Sequence, residues 1–367
     1  MVESSTSWKT AQNFLPNSDD ETNTCFNQVN WDQLCLIASA NNRNLSCVAL
    51  DQVTSGLYHV VRQLQFSDET LWIARVPIKR NRPASYYVQK LKDEIATLQF
   101  IQENSRLKVP RVLAYDVDMH NAAGAAFMLT EKLPGIVAME ALGGRKVHRG
   151  EIPKEYRKTF YRSVAECRPD DVATTPENRN RRPKGGRRVR GGSHRPFDTA
   201  AAFFEAWAAT AKFRRSKEEI TQMLQRGLIS AEEMIRMIDE FPSQIRDMAA
   251  QLPIPNEGLF PLCHDDFLHN NIMVDEASFE VTGVIDWEGA WTAPWGLPLE
   301  DVKETWRERR EYLEMVREAE GDDALLSTAL GSSLNQALAY TFGAFFSIGK
   351  LGLYDRVAAE LNRGTQV

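Results

Sequence analysis

Two short stretches of this 367-residue chain concentrate the side chains that can do chemistry. One runs His264-Asp265-Asp266-Phe267-Leu268-His269-Asn270-Asn271-Ile272-Met273-Val274, the other Gly283-Val284-Ile285-Asp286-Trp287-Glu288. Asp266 completes an H-x-D triplet, Asn271 stands five residues after it, and Asp286 ends an apolar Val-Ile pair. Phosphoryl transfer needs such a set. A carboxylate must orient an attacking hydroxyl and take its proton, and oxygen ligands must hold magnesium where it bridges the phosphates. At this spacing Asp266 is the candidate base, and Asn271 and Asp286 are the candidate metal ligands. Ile272-Met273-Val274 and Val284-Ile285 would be the buried strands that fix Asn271 and Asp286. A metal-hydrolase reading of His264, Asp265, Asp266 and His269 competes. A helical two-histidine zinc site uses i, i+4 spacing, however, and these histidines are five apart. His264 reads better as a brace for the loop than as a catalyst.

These residues need a scaffold. Val48 to Leu50, Tyr58 to Phe66 and Leu71 to Val76 read as strands, with Ser67-Asp68-Glu69-Thr70 as a hairpin turn. From Ser85 to Gln102, apolar residues at Val88, Leu91, Ile95, Leu98 and Ile101 keep helical spacing. Val112 to Tyr115 and Ala125 to Thr130 read as two more strands. The expected architecture is α+β: a small antiparallel sheet with one helix over residues 47–133, then a larger, mostly helical lobe over 134–367. The helical lobe would carry the catalytic loop, 262–290. Leu133-Pro134-Gly135 marks the break between them. Residues 1–46 read as a loose polar extension with one helix, Trp31 to Ala38. Asp198 is the expected cap of a helix from Thr199 to Arg214, and Ser216 with Glu219 and Ser230 with Glu233 fit capping boxes.

The spacing of the polar residues resembles the aminoglycoside phosphotransferase family, the small-molecule branch of the bilobal protein-kinase-like fold. The family pattern is H-G-D-x-x-x-x-N-[IL], then I-D-[WF]-E. This chain matches it except at Asp265, where the family has Gly. The wording around both motifs is similar to that of fungal members, and the resemblance covers roughly 48–350. It implies ATP and magnesium as cofactors and transfer of the terminal phosphoryl to a hydroxyl of a small molecule. Within that frame Ser55 and Gly56, in the turn before His59, would form a nucleotide roof whose backbone N–H groups approach the phosphates. Arg75, on the third strand where the family usually has Lys, would brace the phosphates with Glu94 behind it. The resemblance also assigns the adenine edge to the backbone of Thr130 and Lys132, where a strand leaves the sheet. Glu288, Trp291 and Trp295 are candidate acceptor contacts, and core packing competes as the reading of the tryptophans.

Two other readings stay open. Arg75 for Lys, the single-glycine roof and a basic insertion would suit a nucleotide-binding pseudokinase that acts as a scaffold. A protein kinase fits less well, because D-F-G and A-P-E are missing. Composition bounds the rest. A net charge of −6 argues against nucleic acid as the main ligand. Residues 168–195 read as disordered, with eight Lys/Arg and four Gly between Arg179 and Arg195. The longest apolar run, Ala337 to Ile348, is short of the roughly 20 residues a membrane helix needs. No secretory or transit signal is legible at the start. Five widely spaced cysteines suggest neither a zinc site nor a disulfide framework. The expected setting is the cytoplasm, with no membrane partner.

Overall fold

The computed structural model describes residues 8–15, 18–149, 151–166, 199–213, 215–224, 230–250, 260–264, 266–292, 294, 306–320, 325–332, 335, 338, 342 and 345. The basic insertion 168–195, Asp198, Asp265 and Trp295 lie outside the described residues. The chain divides into two compact units, Met1–Cys167 with Asp265–Gly289, and Arg168–His264 with Ala290–Val367. The expected border at 133/134 falls inside the first unit, which also takes in the segment bearing Asp266, Asn271 and Asp286.

The first unit begins with β1 (Lys9–Thr10), α1 (Ala11–Phe14), α2 (Asp20–Gln28) and α3 (Trp31–Asn41). The strands β2 (Cys47–Ser55), β3 (His59–Phe66) and β4 (Leu71–Pro77) follow, then α4 (Ala84–Asn104), β5 (Val112–Asp116) and β6 (Phe127–Glu131). They form one six-stranded antiparallel sheet in the order β1-β2-β3-β4-β6-β5. Side chains alternate along a strand, so each strand serves two faces. Trp72, Ala74 and Val76 of β4 and Phe127 and Leu129 of β6 join one buried cluster with Phe14, Phe26, Val29, Leu34, Cys35 and Ala38. Arg75, between Ala74 and Val76, falls on the opposite face and meets Glu94 of α4. Three helices thus cover one face of the sheet, and α4 covers the other.

This corrects the reading of residues 1–46 as a loose extension. Asp19, Asp20 and Glu21 open α2: the Asp19 carboxylate accepts from Thr22 N–H at 2.7 Å and takes Arg80 at 2.7 Å. Arg62 lies over the rings of Phe26 and Trp31, 5.3 and 4.9 Å from their centroids. Its Nε donates to the Leu50 carbonyl at 2.7 Å. Cations over aromatic faces and a capped helix start fix a segment whose apolar content alone is thin.

The unit continues through β7 (Ile136–Val137), α5 (Arg145–His148) and α6 (Arg157–Glu166). In the second unit α7 (Ala200–Thr210), α8 (Lys217–Met223) and α9 (Ala231–Ala249) surround an aromatic core, with Trp207 and Phe342 centroids 4.7 Å apart. Thr199, rather than Asp198, caps α7, and Ser216 and Glu219 form the expected capping box. Next along the chain come β8 (Leu262–Cys263), β9 (Ile272–Val274), β10 (Val281–Val284) and β11 (Trp291–Thr292), then α10 (Trp306–Glu320) and α11 (Leu325–Gly331). β9 and β10 belong to the first unit and pair with β7, whereas β8 pairs with β11 in the second. Trp291 is 7% exposed and stacks with Phe203 and Phe342, so it is core rather than an acceptor contact. Among the described residues no helix is long and apolar enough to cross a membrane.

Leu34 has no exposed surface. Leu34→Ala should therefore cost about 2–5 kcal/mol in denaturant unfolding, as for other buried leucines. A cost near zero would mean that α3 does not pack on the sheet.

Candidate active site

The β9–β10 hairpin brings the second motif to the sheet. Gly135 makes the junction possible: its φ is +92°, and a Cβ there would lie 2.2 Å from the Val274 carbonyl oxygen. Thr282 Oγ1 donates to the Pro134 carbonyl at 2.6 Å, and Val284 N–H donates to the Lys108 carbonyl at 2.9 Å. The hairpin is thus bonded to the segments that lead into β5 and β7.

Asn271 organises the loop before the hairpin. Its Nδ2 donates to the Asp266 backbone carbonyl at 2.8 Å and to the Asp266 carboxylate at 3.2 Å. Its own carbonyl accepts from Ile285 N–H at 2.9 Å, which ties the loop to the residue before Asp286. Asn271 is buried and Asp266 is exposed. Asp286 has a φ of +64°, a left-handed conformation that few non-glycine residues adopt. Its side chain is 39% exposed.

Arg75 reaches this segment from the sheet. Its Nη2 lies 3.1 Å from Glu94 Oε1 and 2.9 Å from Asp286 Oδ1. The same nitrogen is 3.4 Å from Nδ1 of His59, at the start of β3. Burial pulls the Arg75 pKa down, but Glu94 and Asp286 more than offset it and the net shift is upward. Burial pushes the Glu94 carboxyl up to about 7, with Arg75 pulling it back. Burial, reinforced by the Arg75 charge, drives His59 down to about 3, so the imidazole is neutral.

A second set of contacts adjoins the first and was not legible in the sequence. Glu288 receives Lys90, which lies one helical turn before Glu94 on α4, and its Oε2 is 3.5 Å from His59 Nδ1. The Lys90 ammonium sits 4.3 Å from the Tyr58 ring centroid, in the turn expected to roof the nucleotide. Glu288 therefore belongs to the ion network around Arg75 rather than standing alone as an acceptor contact. The i, i+4 placement of Lys90 and Glu94 was the available signal.

Two expected nucleotide contacts fare differently. A Cβ at Gly56 would meet nothing within 4 Å, and its N–H donates to the His59 carbonyl at 3.1 Å across the turn from Ser55. At Thr130 the expectation of open backbone groups needs correcting. Thr130 stands in the ladder opposite Ile73 and Val112, because β6 runs on to Glu131. Glu131 N–H bonds the Arg111 carbonyl at 3.0 Å, and Lys132 N–H reaches the Leu71 carbonyl at 3.4 Å. Lys132 is thus the first residue past the strand, and its sheet contact is a long one.

A family model described as "Phosphotransferase enzyme family" matches residues 62–332. Among curated relatives, "Altered inheritance of mitochondria protein 9, mitochondrial" of Candida tropicalis is 33% identical over 91 residues. That match covers 25% of this chain and 14% of the relative, so the chain corresponds to a small part of that protein. Its counterpart in Candida glabrata is 28% identical over 102 residues, 27% of this chain and 16% of that protein. The mitochondrial designation of these relatives overturns the cytoplasmic expectation. Among solved structures, a macrolide 2'-phosphotransferase type I aligns over 91% of this chain and 96% of its own at 16% identity and a TM-score of 0.45.

Glu94 is fully buried, whereas Asp286 is partly exposed. Breaking a buried pair strands a charge, so Glu94→Ala should cost about 3 kcal/mol or more in chemical unfolding. Asp286→Asn should cost under about 1 kcal/mol, as for an exposed pair. Equal costs would show that the Arg75–Glu94 pair is not the structural one.

Proposed function

The chain belongs to the phosphotransferase enzyme family, and from that premise we propose that it moves the terminal phosphoryl of ATP to a hydroxyl group of a small molecule. The observation that carries this reading is the double role of Asn271. Its amide orients Asp266, and its backbone carbonyl anchors the residue before Asp286. One residue, through its side chain and its backbone, thus couples a candidate base to a candidate metal ligand.

Magnesium fits the donor set. Asn271 turns its amide N–H groups toward Asp266, and its Oδ1, which accepts one long bond from Asn270 Nδ2 at 3.3 Å, keeps a second lone pair; Asp286 supplies a carboxylate nearby in the chain. Asn271 and Asp286 would hold the ion, which when bound supplies positive charge to the phosphate oxygens. Asp266 orients the acceptor hydroxyl and takes its proton as the oxygen–phosphorus bond forms and the bond to the leaving ADP oxygen breaks. Arg75, held by Glu94, presents its guanidinium to the phosphates. The turn at Ser55 and Gly56 covers the phosphates, and Lys132 N–H trades its long sheet contact for the adenine edge.

Asp266→Asn should lower kcat by about two to four orders of magnitude with near-constant ATP affinity. ATP consumption in the presence of fractionated metabolites, with nucleotide binding measured separately, reads both quantities. Undiminished turnover would remove Asp266 as the base. Nucleotide binding with no turnover in the unmutated protein, over a broad acceptor panel, would replace the enzyme by a scaffold. Asp286→Ala should abolish magnesium-dependent nucleotide binding, and unchanged magnesium dependence would remove Asp286 as a ligand.

A further inference from the structure

His59 brings a nitrogen donor to a place where the proposed chemistry calls only for oxygen. One ligand atom from each of His59, Asp286 and Glu288 lies within 4.8 Å of the other two. Three donors that share one ion at about 2.1 Å stand roughly 3.0–3.6 Å apart, a separation that His59 Nδ1 and Glu288 Oε2 already have at 3.5 Å, so the main closure needed is that of Asp286, by about 1–2 Å at most. Two further observations point to a cation there. Glu288 has a side chain only 4% exposed, and its Oε2, which faces His59 Nδ1 at 3.5 Å, has no hydrogen-bond partner. Each of the three donors also already faces a side-chain cation: Asp286 Oδ1 and His59 Nδ1 face Arg75 Nη2 at 2.9 and 3.4 Å, and Glu288 faces Lys90.

We infer that His59, Asp286 and Glu288 form a mixed nitrogen–oxygen site for a divalent transition-metal ion, sharing Asp286 with the all-oxygen magnesium site. Imidazole favours transition metals, whereas magnesium prefers oxygen and gives up its waters reluctantly. The ion displaces the Lys90 ammonium from Glu288 and takes the place of the Arg75 Nη2 contacts with Asp286 and His59, while Arg75 keeps Glu94, and it satisfies the orphaned Oε2. Lys90 is then released beside Tyr58, at the end of the roof turn, where a phosphate can receive it. The choice of metal is thereby set by a residue of the sheet rather than by the catalytic loop.

This inference rests on the phosphotransfer reading only for Asp286, and its test separates the two. Mn2+ is the probe, added to the full chain without nucleotide and followed by pulsed electron paramagnetic resonance. The expected result is a ¹⁴N modulation on bound Mn2+ that changes character when the protein is labelled with ¹⁵N-histidine. His59→Asn should remove the modulation and reduce the preference for Mn2+ over Mg2+ by about tenfold or more in competition. Glu288→Gln should weaken Mn2+ binding. If His59→Asn does not fold, the labelled wild-type spectrum and Glu288→Gln still decide. Bound Mn2+ without nitrogen modulation, or a modulation that survives His59→Asn, overturns the inference. If magnesium-dependent phosphoryl transfer is present but that signal is absent, only this inference falls. If no divalent cation binds with or without nucleotide, both readings fall.

Discussion

The contacts of the Arg75 guanidinium hold the site together. A single nitrogen faces a buried carboxylate on α4 and an exposed one after β10, with a neutral imidazole beside it. Charges so far from water persist only when paired. The pairing therefore fixes three elements at once: the third strand of the β2–β4 meander, the helix over it and the hairpin that returns from far along the chain. A lysine would offer a compact ammonium on a flexible stem. A planar guanidinium holds its terminal nitrogen at a fixed angle, and that geometry lets Nη2 alone join carboxylates from α4 and from the segment after β10.

The face of α4 that carries Glu94 also carries Lys90, and the two ion networks meet at His59. Coulomb interactions are strong in such partly dry surroundings. A charged group entering here would exchange with a resident charge rather than with water alone, because each carboxylate already faces Arg75 or Lys90. Asp286 sits at the centre of that exchange in a left-handed backbone conformation. Strain of this kind persists only where the surroundings over-determine the geometry, and Arg75 on one side and the Asn271–Ile285 contact on the other supply that constraint.

Much of this was readable in the sequence because it was local. The β2–β6 strands and α4 announced themselves by alternation and helical spacing, and Asp266, Asn271 and Asp286 by their separation. Glu94 was placed by the resemblance, as the helix carboxylate behind the cation of the third strand. The N-terminal helices were not legible, because their buried face is thin and polar residues surround it. Asp19-Asp20-Glu21, inside the stretch read only as a polar extension, is a cap and a first turn, the usual start of a helix. Thr130 was misplaced because the strand runs one residue further than its apolar stretch. The Lys90–Glu288–His59 contacts were out of reach, since no periodicity relates three side chains that meet only when distant segments fold together.

The first unit is discontinuous: residues 1–167 are completed by 265–289, after a long excursion into the second. Closing so large a loop adds only modestly to the free-energy cost, since that cost grows with the logarithm of length. Its effect is on timing. During synthesis the sheet, α4 and Arg75 emerge first, and Asp286 comes 155 residues after Glu131 at the end of β6, roughly 8–31 s at ordinary ribosomal rates. In that interval Arg75 has Glu94 but not its second carboxylate, and the surface that will receive the β9–β10 hairpin has nothing on it. The nascent chain is thus most vulnerable to misassociation just before the hairpin completes the unit, and a chaperone that shields this half-built unit would act on the edge where the hairpin belongs.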